Sequence, residues 1–340
     1  MYITFNPSTK RTSFELAQDA INFCEIKKQK QLAALLGSEK ILLENILQNP
    51  DYHTFMIPKT NGGQRIIDTP GAALKGIQRK LQDYLQAVYY QIRPRCVHGA
   101  ITSAADETKP RNLLTNAKAH LGKKFFLNVD LKNFYHSISQ KKVLEMFGEA
   151  FFHFPPKVAA LLTKLVCYQN RLPMGTSTSG IVANLCLLEL DTRLQKLADE
   201  NNWTYTRFID DLTFSSKNAF TTEQTNEIRA TIGIESLIIN EEKWSETTID
   251  EQPEITGLVV LGGRIDIKPN YIKQLGADIT LYRKLLRSEH LHKSALFSAP
   301  VLRHFKLHLQ GQLSFMRYIR GKMDVAYVRL ANRMKVYKMA

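Results

Sequence analysis

The stretch Tyr205–Ser216, YTRFIDDLTFSS, decides how this chain is read. Two short runs rich in aromatic and β-branched residues flank adjacent acids. That pattern describes a strand–turn–strand over 204–215 centred on Asp210-Asp211. An isolated Asp-Asp is usually only a turn, because Asp favours turns. Acids set in apolar sequence are different, since burying unpartnered charge is strongly unfavourable. A third acid, Asp130, lies at the end of Lys124–Leu131 (KFFLNVDL), which reads as a buried strand. One acid on a buried strand and a pair on a neighbouring hairpin suit hard divalent cations, above all Mg²⁺. Two such ions about 3.5–4 Å apart activate a hydroxyl and stabilise leaving pyrophosphate in an in-line displacement.

Outward from this hairpin the pattern is mixed. Residues 13–48 read as two short helices, with Ser38 capping the second. Residues 53–57 and 65–68 alternate around Asn61-Gly62-Gly63, a strong hairpin signal. Helices are expected over 71–90, 139–147, 156–168, 177–199 and 223–232. A strand is expected at 237–239, and a hairpin over 254–260 and 264–267 around Gly262-Gly263. Three helices follow, over 270–288, 294–318 and 323–337. The class is α+β, with no repeat and no long linker.

The chain has 340 residues and a net charge of +14, which suggests an anionic partner, nucleic acid before membrane. Residues 264–340 hold 16 Lys and Arg against 4 Asp and Glu, a net of +12, leaving +2 for the first 263 residues. The tail keeps Leu302, Phe305, Leu309, Leu313 and Met316 at helical spacing, so it reads as packed helices with a basic outer face. The longest apolar runs fall far short of a bilayer span, and Met1–Arg11 lacks the apolar core of a secretory signal. Cys24, Cys96, Cys167 and Cys186 lie far apart, which argues against a zinc ribbon or disulfide framework. The expectation is a cytoplasmic protein with no membrane partner.

Several motifs in order resemble the bacterial reverse transcriptases. Asp130 matches the first catalytic aspartate of the palm, and Phe208-Ile209-Asp210-Asp211 matches the Tyr-x-Asp-Asp box. Leu172-Pro173-Met174-Gly175 with Ser179 resembles the LPQG…S segment of the dNTP pocket. Pro58-Lys59 with Gly62, Gly63 and Arg65 resembles the fingers hairpin that holds the triphosphate; Lys is a point charge and Arg a planar fork for phosphate oxygens. Tyr135 matches the steric gate against a 2′-OH, and Lys243 in LIINEEK (237–243) the lysine near the phosphates. Asn116-Ala117-Lys118-Ala119-His120 and Ile255-Thr256-Gly257 are similar to the NAxxH and VTG elements of retron reverse transcriptases.

The resemblance implies a right-hand polymerase with fingers (1–123), palm (124–265, an antiparallel sheet with helices) and a helical thumb (266–340). Asp130, Asp210 and Asp211 would be the catalytic, metal-holding acids for two Mg²⁺, with Mn²⁺ as an alternative. Lys59, Arg65, Tyr135, Met174, Gly175 and Lys243 would bind dNTP. Asn116, His120 and Thr256 would serve RNA binding, as would Arg303, Lys306, Arg317, Arg320, Lys322 and Arg329 on the thumb. The implied activity is copying of a structured non-coding RNA into single-stranded DNA, primed from a 2′-OH, within an antiphage defence system. The implied partners are that RNA as template and primer, the RNA–DNA duplex, and dNTPs. No stretch is left over for an RNase H or an effector, so a host RNase H and a separate effector protein are expected. Phe208, Ile209, Met174, Ser177 and Gly180 depart from the family pattern around the nascent base pair. They keep open a defence-associated reverse transcriptase with unusual template or priming, template-independent synthesis included. A non-catalytic RNA-binding scaffold is the other alternative.

Overall fold

The computed structural model describes residues 9–59, 62–287 and 299–335. The described chain forms two compact units, one of 9–119 with 123–247, the other of 120–122 with 248–335.

The first unit opens with α1 (Ser13–Cys24), α2 (Gln29–Leu35) and α3 (Lys40–Gln48). Three helices thus stand where two were expected, and Ser38 is not the cap. Gly37 takes φ +64°, which ends the α2 turn, and Glu39 occupies the N-cap of α3. Thr12 starts α1 through a reciprocal capping box with Glu15. Next come β1 (Tyr52–Pro58) and β2 (Gln64–Pro70), an antiparallel hairpin in the register Ile57↔Arg65; Asn61 lies outside the described residues. α4 (Ala72–Ile92) packs on α1, where Tyr84 stacks on Phe23 with ring centroids 6.0 Å apart.

α5 (Leu113–Lys118) leads into β3 (Phe125–Asp130), followed by α6 (Phe134–Ser137), α7 (Gln140–Glu145) and α8 (Pro156–Val166). The helix expected over 177–199 is two, α9 (Ser179–Cys186) and α10 (Leu188–Glu200). The break is at Leu187, whose N–H is shared between the carbonyls of Ala183 and Asn184. Then come β4 (Thr204–Phe208), β5 (Asp211–Ser216), α11 (Thr222–Ile234) and β6 (Ser245–Thr248).

The main sheet has the order β4-β5-β3-β6. Phe126, Leu127, Val129, Leu212 and Phe214 are all buried, so these strands are covered on both faces. Such burial fixes register, because a one-residue slip would exchange the faces. The pairs are Leu127↔Phe214, Val129↔Leu212 and Asp130↔Asp211. The expected strand at 237–239 is only an isolated bridge, Leu131↔Ile239. The edge is taken by polar β6, which has no apolar alternation to announce it.

The second unit begins with β7 (Glu254–Ile255), β8 (Leu258–Leu261) and β9 (Arg264–Ile267). The expected strand over 254–260 is interrupted, because Thr256 (φ +49°) and Gly257 (φ +85°) turn the chain. α12 (Pro269–Arg287), α13 (Ala299–Arg320) and α14 (Val325–Lys335) follow. The parts of the expected helices at 288, 294–298 and 336–337 lie outside the described residues. Leu302, Leu309, Leu313 and Met316 are buried, while Arg303, Lys306 and Arg317 are exposed on the same helix. Among the described residues no helix is long and apolar enough to cross a membrane. All four cysteines are free thiols.

Candidate active site

The strand register brings two acids face to face: Asp130 at the end of β3 pairs with Asp211 at the start of β5. Asp210 occupies the turn, and its carbonyl accepts the N–H of Leu131 at 3.1 Å. The Asp210 carboxyl is held above its ordinary pKa, first by burial and then by the charge of Asp130; Lys243 and Arg65 oppose the shift. Arg65 on β2 therefore lies within electrostatic reach of this turn. Tyr135, in α6, has its phenol pushed up by burial and by Asp210.

Asp130 is tied down from the segment after α11. Asn240 donates its side-chain N–H to Asp130 Oδ2 at 2.9 Å, and its backbone N–H to the Asp130 carbonyl at 2.8 Å. Lys243 Nζ donates to Asp130 Oδ1 at 2.5 Å. The lysine expected near phosphates thus meets the first acid directly.

The turn itself is strained. Ile209 has φ +62°, a region that costs a β-branched residue about 1–3 kcal/mol. A buried network holds it there. Arg207 is 0% exposed, grips Asp191 through Nε (2.8 Å) and Nη2 (2.6 Å), and donates from Nη1 to the Ile209 carbonyl at 3.0 Å. Burial alone would depress that guanidinium, but Asp191 outweighs it and raises its pKa. Tyr205 adds a hydroxyl to Asp191 at 3.1 Å. Asn184 joins the other side, accepting from Arg207 and donating to the carbonyl of Gly99 at 3.0 Å. Gly99 must be glycine, since a Cβ there would lie 2.7 Å from the Ile209 nitrogen. No role for Arg207 was read from the sequence; its place in the apolar strand was the available signal.

The dNTP candidates on the other hairpin sit differently. Lys59 and Arg65 are exposed, one just after β1 and the other on β2. At the hairpin base, the Asp68 N–H donates to the Met174 carbonyl at 2.7 Å. Gly175 has φ +119°, and a Cβ there would come within 2.8 Å of Ile67 Cγ2. Asp68 is fully buried and accepts from Thr54 at 2.8 Å. Arg171 Nη2 (3.5 Å) and His136 Nε2 (3.7 Å) face its Oδ2. This cluster was not anticipated, and it joins the hairpin base to residues beside Tyr135 and Met174.

The RNA-binding candidates divide by exposure. Asn116 and His120 are buried, at 1% and 0% exposure, so neither side chain offers itself to a polymer. Thr256 is part-buried in its turn. Arg303, Lys306, Arg317, Lys322 and Arg329 are exposed. Arg320 is engaged by Asp266 (3.2 Å) and Asp324 (3.4 Å).

Divalent metal suits the aspartates by donor chemistry: hard carboxylate oxygens, two opposed in register, and a third whose ionisation is penalised by burial and then by its neighbour. A cation would relieve that repulsion. Among the described residues no three His, Cys, Asp or Glu side chains converge as a metal-binding group. In this set the Lys243 ammonium already takes one oxygen of Asp130.

Residues 57–279 match the family model described as reverse transcriptase (RNA-dependent DNA polymerase). The retron Ec86 reverse transcriptase of Escherichia coli is 33% identical over 172 residues, 50% of this chain and 53% of that protein. The retron Se72 reverse transcriptase of Salmonella heidelberg (strain 579083-10) is 32% identical over 246 residues, 68% of this chain and 61% of that one. The retron Mx65 reverse transcriptase of Myxococcus xanthus is 29% identical over 259 residues, covering 69% and 58%. The chain thus spans between 53% and 61% of the length of these relatives. It belongs to the reverse transcriptase (RNA-dependent DNA polymerase) family, with the α+β right-hand polymerase fold its motifs implied and similarity to the retron type.

Proposed function

We propose that this protein is an RNA-directed DNA polymerase of the retron type. The observation that carries the reading is the register that sets Asp130 opposite Asp211, with Asp210 in a turn held by buried partners. A primer hydroxyl oxygen attacks the α-phosphorus of a dNTP, a P–O bond forms in line with the one that breaks, and pyrophosphate leaves. Asp130, Asp210 and Asp211 would hold two Mg²⁺, Mn²⁺ being the alternative. When bound, such ions lower the pKa of the attacking hydroxyl and offset charge on the leaving group.

The chain's own residues position the rest. Lys59 and Arg65 hold triphosphate oxygens. Tyr135 excludes a 2′-OH, and Met174 and Gly175 floor the base-pair pocket. Lys243 leaves Asp130 to neutralise the pyrophosphate. Residues 1–123, 124–265 and 266–340 serve as fingers, palm and thumb. The exposed cations of α13 and α14 grip the phosphates of an RNA or RNA–DNA duplex, and the buried Asn116 and His120 support the RNA-facing surface from beneath. The template is a structured non-coding RNA, the first primer is its 2′-OH, and the setting is antiphage defence in the cytoplasm.

Labelled dNTP incorporation on the copurifying RNA tests this. Asp210→Asn lowers incorporation by at least ~10²–10³-fold, as loss of one charge-stabilising group does, while RNA retention in a gel shift is unchanged. Normal incorporation by the variant would refute the assignment, and incorporation without RNA would favour template-independent synthesis.

A further inference from the structure

The first 263 residues carry a net charge of only +2, yet their positive charge is not evenly spread. Lys27, Lys28 and Lys30 at the start of α2, Lys40 at the start of α3 and Lys157 at the start of α8 line one open depression of about 640 Å³. All five are exposed. Lys40 pairs with Glu44 at 3.3 Å. Among the described residues the other four have no ion pair. The helices beneath are fixed: Gln29 donates to the Lys157 carbonyl at 2.8 Å, and Leu32, Leu43 and Val158 are buried. None of the lining residues belongs to the main sheet, the β1–β2 hairpin or the loop at 171–175.

We infer that this lysine-lined depression is a second docking surface for RNA, taking its sugar–phosphate backbone away from the catalytic strands. Five like charges of which only Lys40 is paired with an acid repel one another, and a polyanion relieves that repulsion while releasing counterions. The chemistry favours a backbone over a discrete nucleotide. The depression offers flexible point charges around proline rings (Pro155, Pro156), with no guanidinium fork among its lining residues. Such a surface reads phosphate spacing without sequence. A structured template would be held here by a part that is not being copied. The choice of RNA as the polyanion rests on the polymerase reading; the charge cluster does not.

The test compares two full-length variants. One carries Lys27→Gln, Lys28→Gln, Lys30→Gln and Lys157→Gln. The control carries Lys109→Gln, Lys124→Gln, Lys141→Gln and Lys196→Gln, four exposed lysines elsewhere. Thermal midpoints establish that both fold. The probe is a labelled RNA stem–loop titrated across salt concentrations, with inorganic tripolyphosphate and polyglutamate as competing ligands. The first variant should lose about 3 units of the slope of log affinity against log salt, and the control little. Equal slopes in the two variants would overturn the inference. So would loss of tripolyphosphate or polyglutamate binding alone, which would mark a small-anion or acidic-protein site. Both variants should extend a short pre-annealed primer on RNA as the unaltered protein does. If the unaltered protein extends nothing, the polymerase reading fails while the slope comparison still stands.

Discussion

Two hairpins present the residues expected to meet a nucleotide, and they are built in opposite ways. The β4–β5 hairpin is enclosed: Tyr205, Thr206, Arg207, Leu212, Thr213 and Phe214 are all buried, and its turn is held by Arg207, Asp191 and Asn184. The β1–β2 hairpin stands in solvent, with Phe55 39%, Met56 60% and Ile57 44% exposed. A two-stranded ribbon is marginal alone, so its order comes from its base, where Asp68, Gly175 and the stacked Tyr52–Tyr168 pair anchor it. The acids thus sit on a preorganised frame, and Lys59 and Arg65, the cations proposed to meet the triphosphate, on an exposed ribbon. That division suits a reaction that needs fixed charge and a changing guest.

The sharpest way to break the contrast is Arg207→Met. It leaves Asp191 buried and unpaired and removes the Ile209 anchor. Loss of one partner of a buried pair costs about 3–5 kcal/mol, readable as a fall in the urea midpoint. A loss below about 1 kcal/mol, the scale of an exposed pair, would show that the network is not what holds the turn.

Acid offers a second probe of the same hairpin. The His98 backbone N–H donates to the Arg207 carbonyl at 2.9 Å. Burial, then the charge of Arg111, pushes the His98 imidazole down to about 3. The unfolded chain then binds a proton that the folded one refuses. This contribution is present above the ordinary histidine range near 6.5 and is lost as pH falls towards 3. The slope is at most roughly 1.4 kcal/mol per pH unit. His98→Gln should flatten the acid limb of the stability–pH curve; an unchanged limb would assign that loss to other groups.

Much of this frame was legible in sequence. Apolar runs around acids gave β3, β4 and β5, and Gly62-Gly63 marked the β1–β2 hairpin. What was hidden depends on partners distant in sequence. Arg207 and Asp191 each look like surface charges until a strand and a helix bring them together. Asn240 reaches Asp130 from 110 positions away. β6 is a polar strand at one sheet edge with no apolar alternation to mark it, and α9 and α10 share one apolar pattern although Leu187 separates them. Lys157 joins the lysines at the starts of α2 and α3 only because α8 packs beside α2.

The anchored base of the β1–β2 ribbon should respond at an intermediate scale. Gly175→Ala places a methyl against Ile67 and strains a backbone at φ +119°. The cost is about 1–3 kcal/mol in the urea midpoint. Asp68→Asn removes the charge facing Arg171 and His136, and should cost about 1–3 kcal/mol with a raised KM for dNTP. If KM stays fixed while stability falls, Asp68 only holds the fold and does not set the ribbon over the pocket.

The smallest effect belongs to the open end of the ribbon, and it tests the comparison from the opposite side. Met56 pairs with Ile66 in register but leaves 60% of its surface in water. Met56→Lys forfeits little burial there, so stability should move by no more than about 0.5 kcal/mol. Met56 projects from the face opposite the one shared by Ile57 and Arg65, so the added ammonium should move KM for dNTP only slightly, and only at low salt. A loss of several kcal/mol would mean that the exposed face is covered by something in the folded protein. The ribbon would then be as enclosed as β4–β5, and the contrast between the two hairpins would disappear.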